Sequence, residues 1–129
     1  MSLPDRLAEF ERCLKKFEEV LTQPKNEFIR DSSIKRFEMC FELGWKVLKD
    51  YLQYLSIFCR SPRHCLKEAF SIGLIDFEED WIDMLEDRNL SVHTYNEDLA
   101  ETLYNRLPQH YETLKNLLNK IKEDMEKYR

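Results

Sequence analysis

Apolar residues recur every three or four positions along almost the whole chain, and the recurrence breaks in only a few places. Leu7, Phe10, Leu14, Phe17 and Leu21 share one side of a helix over residues 5–22, with Asp5 near its start and Pro24 just past its end. Ile34, Phe37, Phe41, Trp45, Leu48, Leu52 and Leu55 continue the pattern in a longer helix. It begins between residues 26 and 33 and reaches about residue 55, with Lys35, Glu38, Glu42, Lys46 and Lys49 facing elsewhere. Gly44 interrupts it at a cost of up to about 1 kcal/mol relative to alanine, which points to another helix packing closely there. Ser61-Pro62 opens a short third helix that stops at Gly73. A fourth spans 76–88 with Phe77, Trp81, Met84 and Leu85 inward, and its acidic start (Asp76, Glu78, Glu79, Asp80) complements the helix dipole. The last helix runs from about 95 to 127, marked by Leu99, Leu103, Leu107, Tyr111, Leu114, Leu118, Ile121 and Met125. From Leu107 onward its steps alternate four and three, the seam of helices packed nearly parallel or antiparallel. Pro108 is expected to kink it. The predicted fold is all-α: an antiparallel four-helix up-and-down bundle with one additional short helix, residues 1–129 forming one domain.

Composition supports helices and narrows the chemistry. With 2 glycines and 4 prolines in 129 residues, the turns of an all-β fold are missing. A 43% hydrophobic and 35% charged chain reads as globular. The net charge of −5 excludes unspecific coating of nucleic acid, so any RNA contact needs a local basic patch or a partner. No apolar run approaches the roughly 20 residues that span a bilayer. The N-terminus lacks a signal-peptide core, so no membrane association and a cytoplasmic location are expected. Four cysteines, at 13, 40, 59 and 65, include no Cys-x-x-Cys and read first as free thiols, with a disulfide, or a metal held by Cys59, His64 and Cys65, as the lesser alternative; neither a metal nor a cofactor is expected.

The densest usable chemistry is Arg88-Asn89-Leu90-Ser91-Val92-His93-Thr94-Tyr95. A guanidinium binds phosphate through a rigid fork of donors, and an imidazole exchanges protons near neutral pH. Thr94-Tyr95-Asn96-Glu97 has the form of a capping box, which would place His93 just before a helix N-terminus and Tyr95 in its first turn. A neutral His93 could then take the proton of a ribose 2′-hydroxyl while Arg88 stabilises charge on the phosphorus oxygens, leaving a cyclic phosphate without a metal. The alternative at this level is structural: Arg88 closes the end of helix four, His93 fills a gap and Tyr95 packs.

A second cluster, Arg60, Arg63, His64 and Lys67, is the most basic local run, a candidate phosphate contact or simply a solvated face. Trp45 and Trp81 stand at core spacing. No Gly-rich phosphate loop occurs, nor the Gly-Ser and paired aspartates of a nucleotidyltransferase, so the chain is not itself that transferase.

Arg88-Asn89, three residues, then His93-Thr94-Tyr95 resembles the Arg-x4-His-x-Tyr motif of the HEPN superfamily. Arg30 to Glu38, Phe41 to Tyr51, Ser61-Pro-Arg63, Ala69-Phe70 and Trp81 to Leu85 are similar to its branch of nucleotidyltransferase substrate-binding proteins, and the likeness runs from about Leu7 to Leu118. The resemblance implies a helical bundle, usually a homodimer, that pairs with a separate minimal nucleotidyltransferase in a toxin–antitoxin-like system. It implies that Arg88 and His93 are catalytic in a metal-independent endoribonuclease, that Asn89 supports them, and that Tyr95 accepts AMP from the partner. Three readings follow: a partner subunit of the transferase, a ribonuclease acting on RNA, and a dimeric scaffold without chemistry.

Overall fold

The computed structural model describes residues 2–127 as five helices: α1 (Leu3–Leu21), α2 (Glu27–Tyr54), α3 (Pro62–Ser71), α4 (Glu78–Leu90) and α5 (Glu97–Lys127). A 3₁₀ turn, Ser91–His93, joins α4 to α5, and no strand occurs among the described residues. Local chemistry sets the starts. Side chains of Ser2, Asn26 and Ser61 accept hydrogen bonds from the amides of Asp5 (3.2 Å), Ile29 (2.8 Å) and His64 (3.2 Å), each three residues on. Ser2 with Pro4 therefore starts α1 earlier than residue 5.

Two expectations about starts fail. The cap of α5 is Asn96, whose side chain accepts from the Leu99 amide at 3.0 Å, not Thr94. Thr94 donates to the Ser91 carbonyl (3.0 Å) within the preceding turn, and Glu97 is drawn away to Arg30 (2.7 Å), so no capping box forms. Phe77 is not inward: it occupies the cap position of α4 in extended backbone and is 68% exposed, while Trp81, Met84 and Leu85 are buried as expected.

The ends are equally local. Gly73 takes φ +77°, and the amides of Gly73 and Leu74 close onto the carbonyls of Phe70 and Ala69. Ser56 ends α2 the same way at φ 66°, with Ile57 donating to Leu52.

Tertiary contacts fix directions. Phe17 meets Tyr111 edge-on and Lys122 reaches Glu11, so α1 and α5 run antiparallel. Arg30 pairs with Glu97 and Tyr51 bonds Asp124, so α2 and α5 run parallel. Asp87 pairs with Arg106, while Asp80 and Lys120 line one cleft, so α4 is antiparallel to α5. With α1 antiparallel to α5, this is the up-down-up-down bundle of α1, α2, α4 and α5, with short α3 packed on α2 and α4. Phe10, Phe17, Phe37, Phe41, Leu48 and Tyr51 fill its centre without exposure.

Gly44 has the expected reason: a Cβ there would stand 3.1 Å from Leu114 and 3.3 Å from Phe10. Trp81 is core, but Trp45 only borders it, half-buried with its indole N–H on Glu42 (3.3 Å). α5 continues through Pro108, which is exposed.

Two of the four cysteines depart from the free-thiol expectation. Cys59 and Cys65 form a disulfide with Cα atoms 5.1 Å apart, because the loop after α2 folds back against the first turn of α3. Cys13 and Cys40 remain free thiols, buried where α1 crosses α2. No helix among the described residues is long and apolar enough to cross a membrane.

Candidate functional site

The site begins with a buried charge. Asp87, 1% exposed, accepts from Arg106 at 3.0 Å and lies 2.6 Å from His110 Nε2, itself buried and stacked on Phe37 at 5.1 Å. A carboxylate so enclosed is tolerable only with such partners. They anchor the last turn of α4 to α5. Arg88, one residue further around the helix, then leaves toward α2.

There its guanidinium binds Glu42, donates to Asn89 Oδ1 at 3.2 Å and lies over the Phe41 ring at 6.0 Å. Arg88 sits inside the final turn rather than ending the helix. Beside it opens a groove of about 610 Å³ lined by Lys35, Met39, Leu43, Asn89 and Val92 among others.

The turn after α4 is braced by its hydroxyls. Ser91 Oγ donates to the Arg88 carbonyl at 2.7 Å, and the Asn96 amide donates to the His93 carbonyl at 3.0 Å. This bracing presents His93 and Tyr95 outward. The phenol oxygen lies 3.4 Å from His93 Nδ1, the long end of hydrogen bonding, with the rings edge-on at 5.9 Å. Tyr95 is 83% exposed.

The sequence motif is therefore two pairs, one on each side of the Ser91–His93 turn. Arg88 with Asn89 borders the groove, and His93 with Tyr95 stands in solvent; no hydrogen bond joins Arg88 to His93 among the described residues. His93 stands three residues ahead of the α5 cap, and Asn96, Glu97 and Asp98 occupy the dipole end expected to hold an anion. Arg30, 5% exposed, bonds Glu97 and Glu101 (3.1 Å), and these carboxylates push its affinity for the proton further above the ordinary arginine value. It locks the start of α5 to the start of α2.

The second basic cluster lies elsewhere. Arg60, Arg63 and Lys67 are exposed beside the Cys59–Cys65 disulfide, while His64 is engaged by Glu68 (3.4 Å) and by the Arg60 amide (3.3 Å). Along α2 this is roughly 18 Å from Glu42, at 1.5 Å per residue. Among the described residues no group of His, Cys, Asp and Glu could hold a metal.

Sequence reading missed Glu42, Asp87 and His110 as parts of the site. The last two had a signal. Asp87 falls on the inward arc with Met84, and His110 with Leu107 and Leu114, so a charge and an imidazole stand on apolar arcs of two helices. Glu42 had none, because its partner is 46 residues away.

Comparison with known proteins agrees with this architecture. A family model described as "Nucleotidyltransferase substrate binding protein like" matches residues 5–123. A Haemophilus influenzae protein called probable ribonuclease HepT is 31% identical over 77 residues, 56% of this chain and 53% of that protein. The chain thus matches about half the length of that relative. A solved structure of a Thermus thermophilus protein superposes with TM-score 0.83 at 32% identity, covering 87% of this chain and 98% of that one. The fold also matches a tri-AMPylated HEPN toxin of Shewanella oneidensis in complex with an MNT antitoxin, with TM-score 0.75 at 22% identity over 95% and 99% of the two chains.

Proposed function

The chain belongs to the nucleotidyltransferase substrate-binding protein-like family, and from that premise we propose that it is the helical partner subunit of a separate minimal nucleotidyltransferase, to which it presents Tyr95 as an AMP acceptor. The observation that carries this reading is the placement of the phenol: 83% exposed, on a braced turn, with an imidazole nitrogen 3.4 Å away. In the step proposed, the Tyr95 oxygen attacks the α-phosphorus of a nucleoside triphosphate held by the partner. The bond to pyrophosphate breaks, and the phenolic proton passes to His93 Nδ1. The similarity in fold to an AMPylated HEPN toxin supports the same reading.

The test is co-expression with a minimal nucleotidyltransferase followed by intact mass measurement. The expected outcome is a complex on sizing and AMP increments that vanish in Tyr95→Phe. An unmodified mass with no complex would overturn the proposal.

A specific observation also favours a metal-independent endoribonuclease. Arg88 borders a groove with apolar Met39, Leu43 and Val92, of which Met39 and Val92 are exposed. A second copy docked there as a homodimer would set two motifs face to face across a two-fold axis, uniting Arg88 with His93 in one cleft. The 2′-hydroxyl would attack the adjacent phosphorus and give its proton to His93, the bond to the 5′-oxygen would break with that oxygen taking a proton from water, and Arg88 would hold the charged phosphoryl oxygens. Purified protein with RNA and EDTA should then yield cyclic phosphate ends, and His93→Ala should abolish them. Intact RNA would remove this reading and leave the partner reading standing.

A further inference from the structure

The basic cluster at the other end of α2 is not used by either reading, yet its arginines differ from most others in the molecule. Arg6, Arg30, Arg88 and Arg106 are each bound to a carboxylate, and Arg36 to the Lys16 carbonyl. Among the described residues the side chains of Arg60, Arg63 and Lys67 have no such partner, and the nearest acid in sequence, Glu68, is taken by His64. In a chain of net charge −5, a cluster of exposed, unneutralised cations attracts an anion rather than a carboxylate of its own fold.

Exposed aromatics lie just ahead of it in the chain, Tyr54 at the end of α2 and Phe58 beside Cys59. Phe58 is 73% exposed and Tyr54 61% exposed, the latter stacked on buried Tyr51 at 6.0 Å, which holds its ring in place. The Cys59–Cys65 disulfide sets the order of this corner. With its Cα atoms 5.1 Å apart, it pins Phe58 and Arg60, the two neighbours of Cys59, against the first turns of α3 that carry Arg63 and Lys67. Cations that can track a phosphate backbone, next to exposed aromatic faces on which bases can stack, are the two ingredients of single-strand binding.

We propose that Arg60, Arg63 and Lys67, with Phe58 and Tyr54, form a docking surface for single-stranded RNA, separate from the Arg88 motif. The choice of RNA rests on the ribonuclease reading above. The surface holds a strand by its phosphates and by sequence-tolerant stacking, so it has little base preference.

The experiment is a fluorescence anisotropy titration of the full chain, carrying His93→Ala so that the strand stays intact, with a labelled unstructured RNA of about 12 nucleotides. Against this parent, R60A/R63A/K67A should bind at least about tenfold more weakly, and the slope of log affinity against log salt should fall by about 2. Phe58→Ala should weaken binding by roughly 5- to 100-fold with the salt slope unchanged. Both variants should keep the parent's circular dichroism and melting temperature.

Unchanged affinity and slope in the triple variant would overturn the proposal, as would a parent that binds no RNA. Displacement by polyglutamate as readily as by RNA would assign the surface to an acidic protein instead. Failure of the ribonuclease reading shows separately, as intact RNA with wild-type His93 while binding through the cluster persists.

Discussion

Glu42 decides the state of Arg88. The pair is about one third exposed on both sides, and exposed pairs contribute roughly 0–1 kcal/mol, so a phosphate can displace the carboxylate cheaply. Glu42→Gln keeps a hydrogen-bond acceptor and removes the competing charge. Its stability should stay within about 0.5 kcal/mol of wild type, while affinity for inorganic phosphate or RNA at the groove should rise about three- to fivefold, the scale of one nearby charge in water. Titration calorimetry checks this, and weaker binding would mean that Glu42 aims Arg88 rather than competing for it. Asp87 and His110 act differently, since they are buried and hold the helix that carries Arg88. The residue types of the motif were legible in the sequence. That Arg88 faces Glu42 was not, because Glu42 approaches from a helix 46 residues away along the chain.

Helix boundaries follow from caps, and caps depend on which short-range bond wins. Thr94 and Asn96 both had the chemistry to start α5. Asn96 prevails because Thr94 is committed to Ser91 and Glu97 to Arg30. Two substitutions test the helix interiors and ends. Ser56 holds φ 66° without being glycine, so Ser56→Gly should stabilise by roughly 0.5–1 kcal/mol. Gly44→Ala gains helix propensity of up to about 1 kcal/mol. Its Cβ, however, meets Leu114 at 3.1 Å and Phe10 at 3.3 Å, both fully buried, so packed neighbours must shift to admit it. Overpacking of this kind costs about 1–3 kcal/mol, so the net change should be destabilising. Urea unfolding midpoints measure both. Phe77 shows the limit of periodicity: it keeps the spacing of the stripe but stands at the first extended residue, where spacing no longer dictates direction.

At the scale of the molecule, ion pairs between helix ends make the fold sensitive to pH in a stated direction. Lys25, then Arg30, hold Glu101 below the usual carboxylate range. The folded state thus favours the charged form, a contribution fully present above the ordinary value near 4.3 and lost as pH falls from there through the lowered folded value. Glu101→Gln should flatten the decline of melting temperature between about pH 5 and pH 3. Tyr111 works at the other extreme. Burial, then the hydrogen bond to Glu18, pushes its phenol upward, so stability is lost as pH rises beyond about 10, and Tyr111→Phe should remove that loss. The apolar period was enough to set the helices, their order, the buried stripes and the up-down bundle, because a stripe recurring every three to four residues can be buried in few other ways. It took the packed molecule to bring Cys59 to Cys65, to turn Arg88 toward Glu42 and to split the motif into two pairs around one turn. The Glu42 contact joins segments 46 residues apart, and the other two outcomes depend on how the chain turns between helices, neither of which a helical period records.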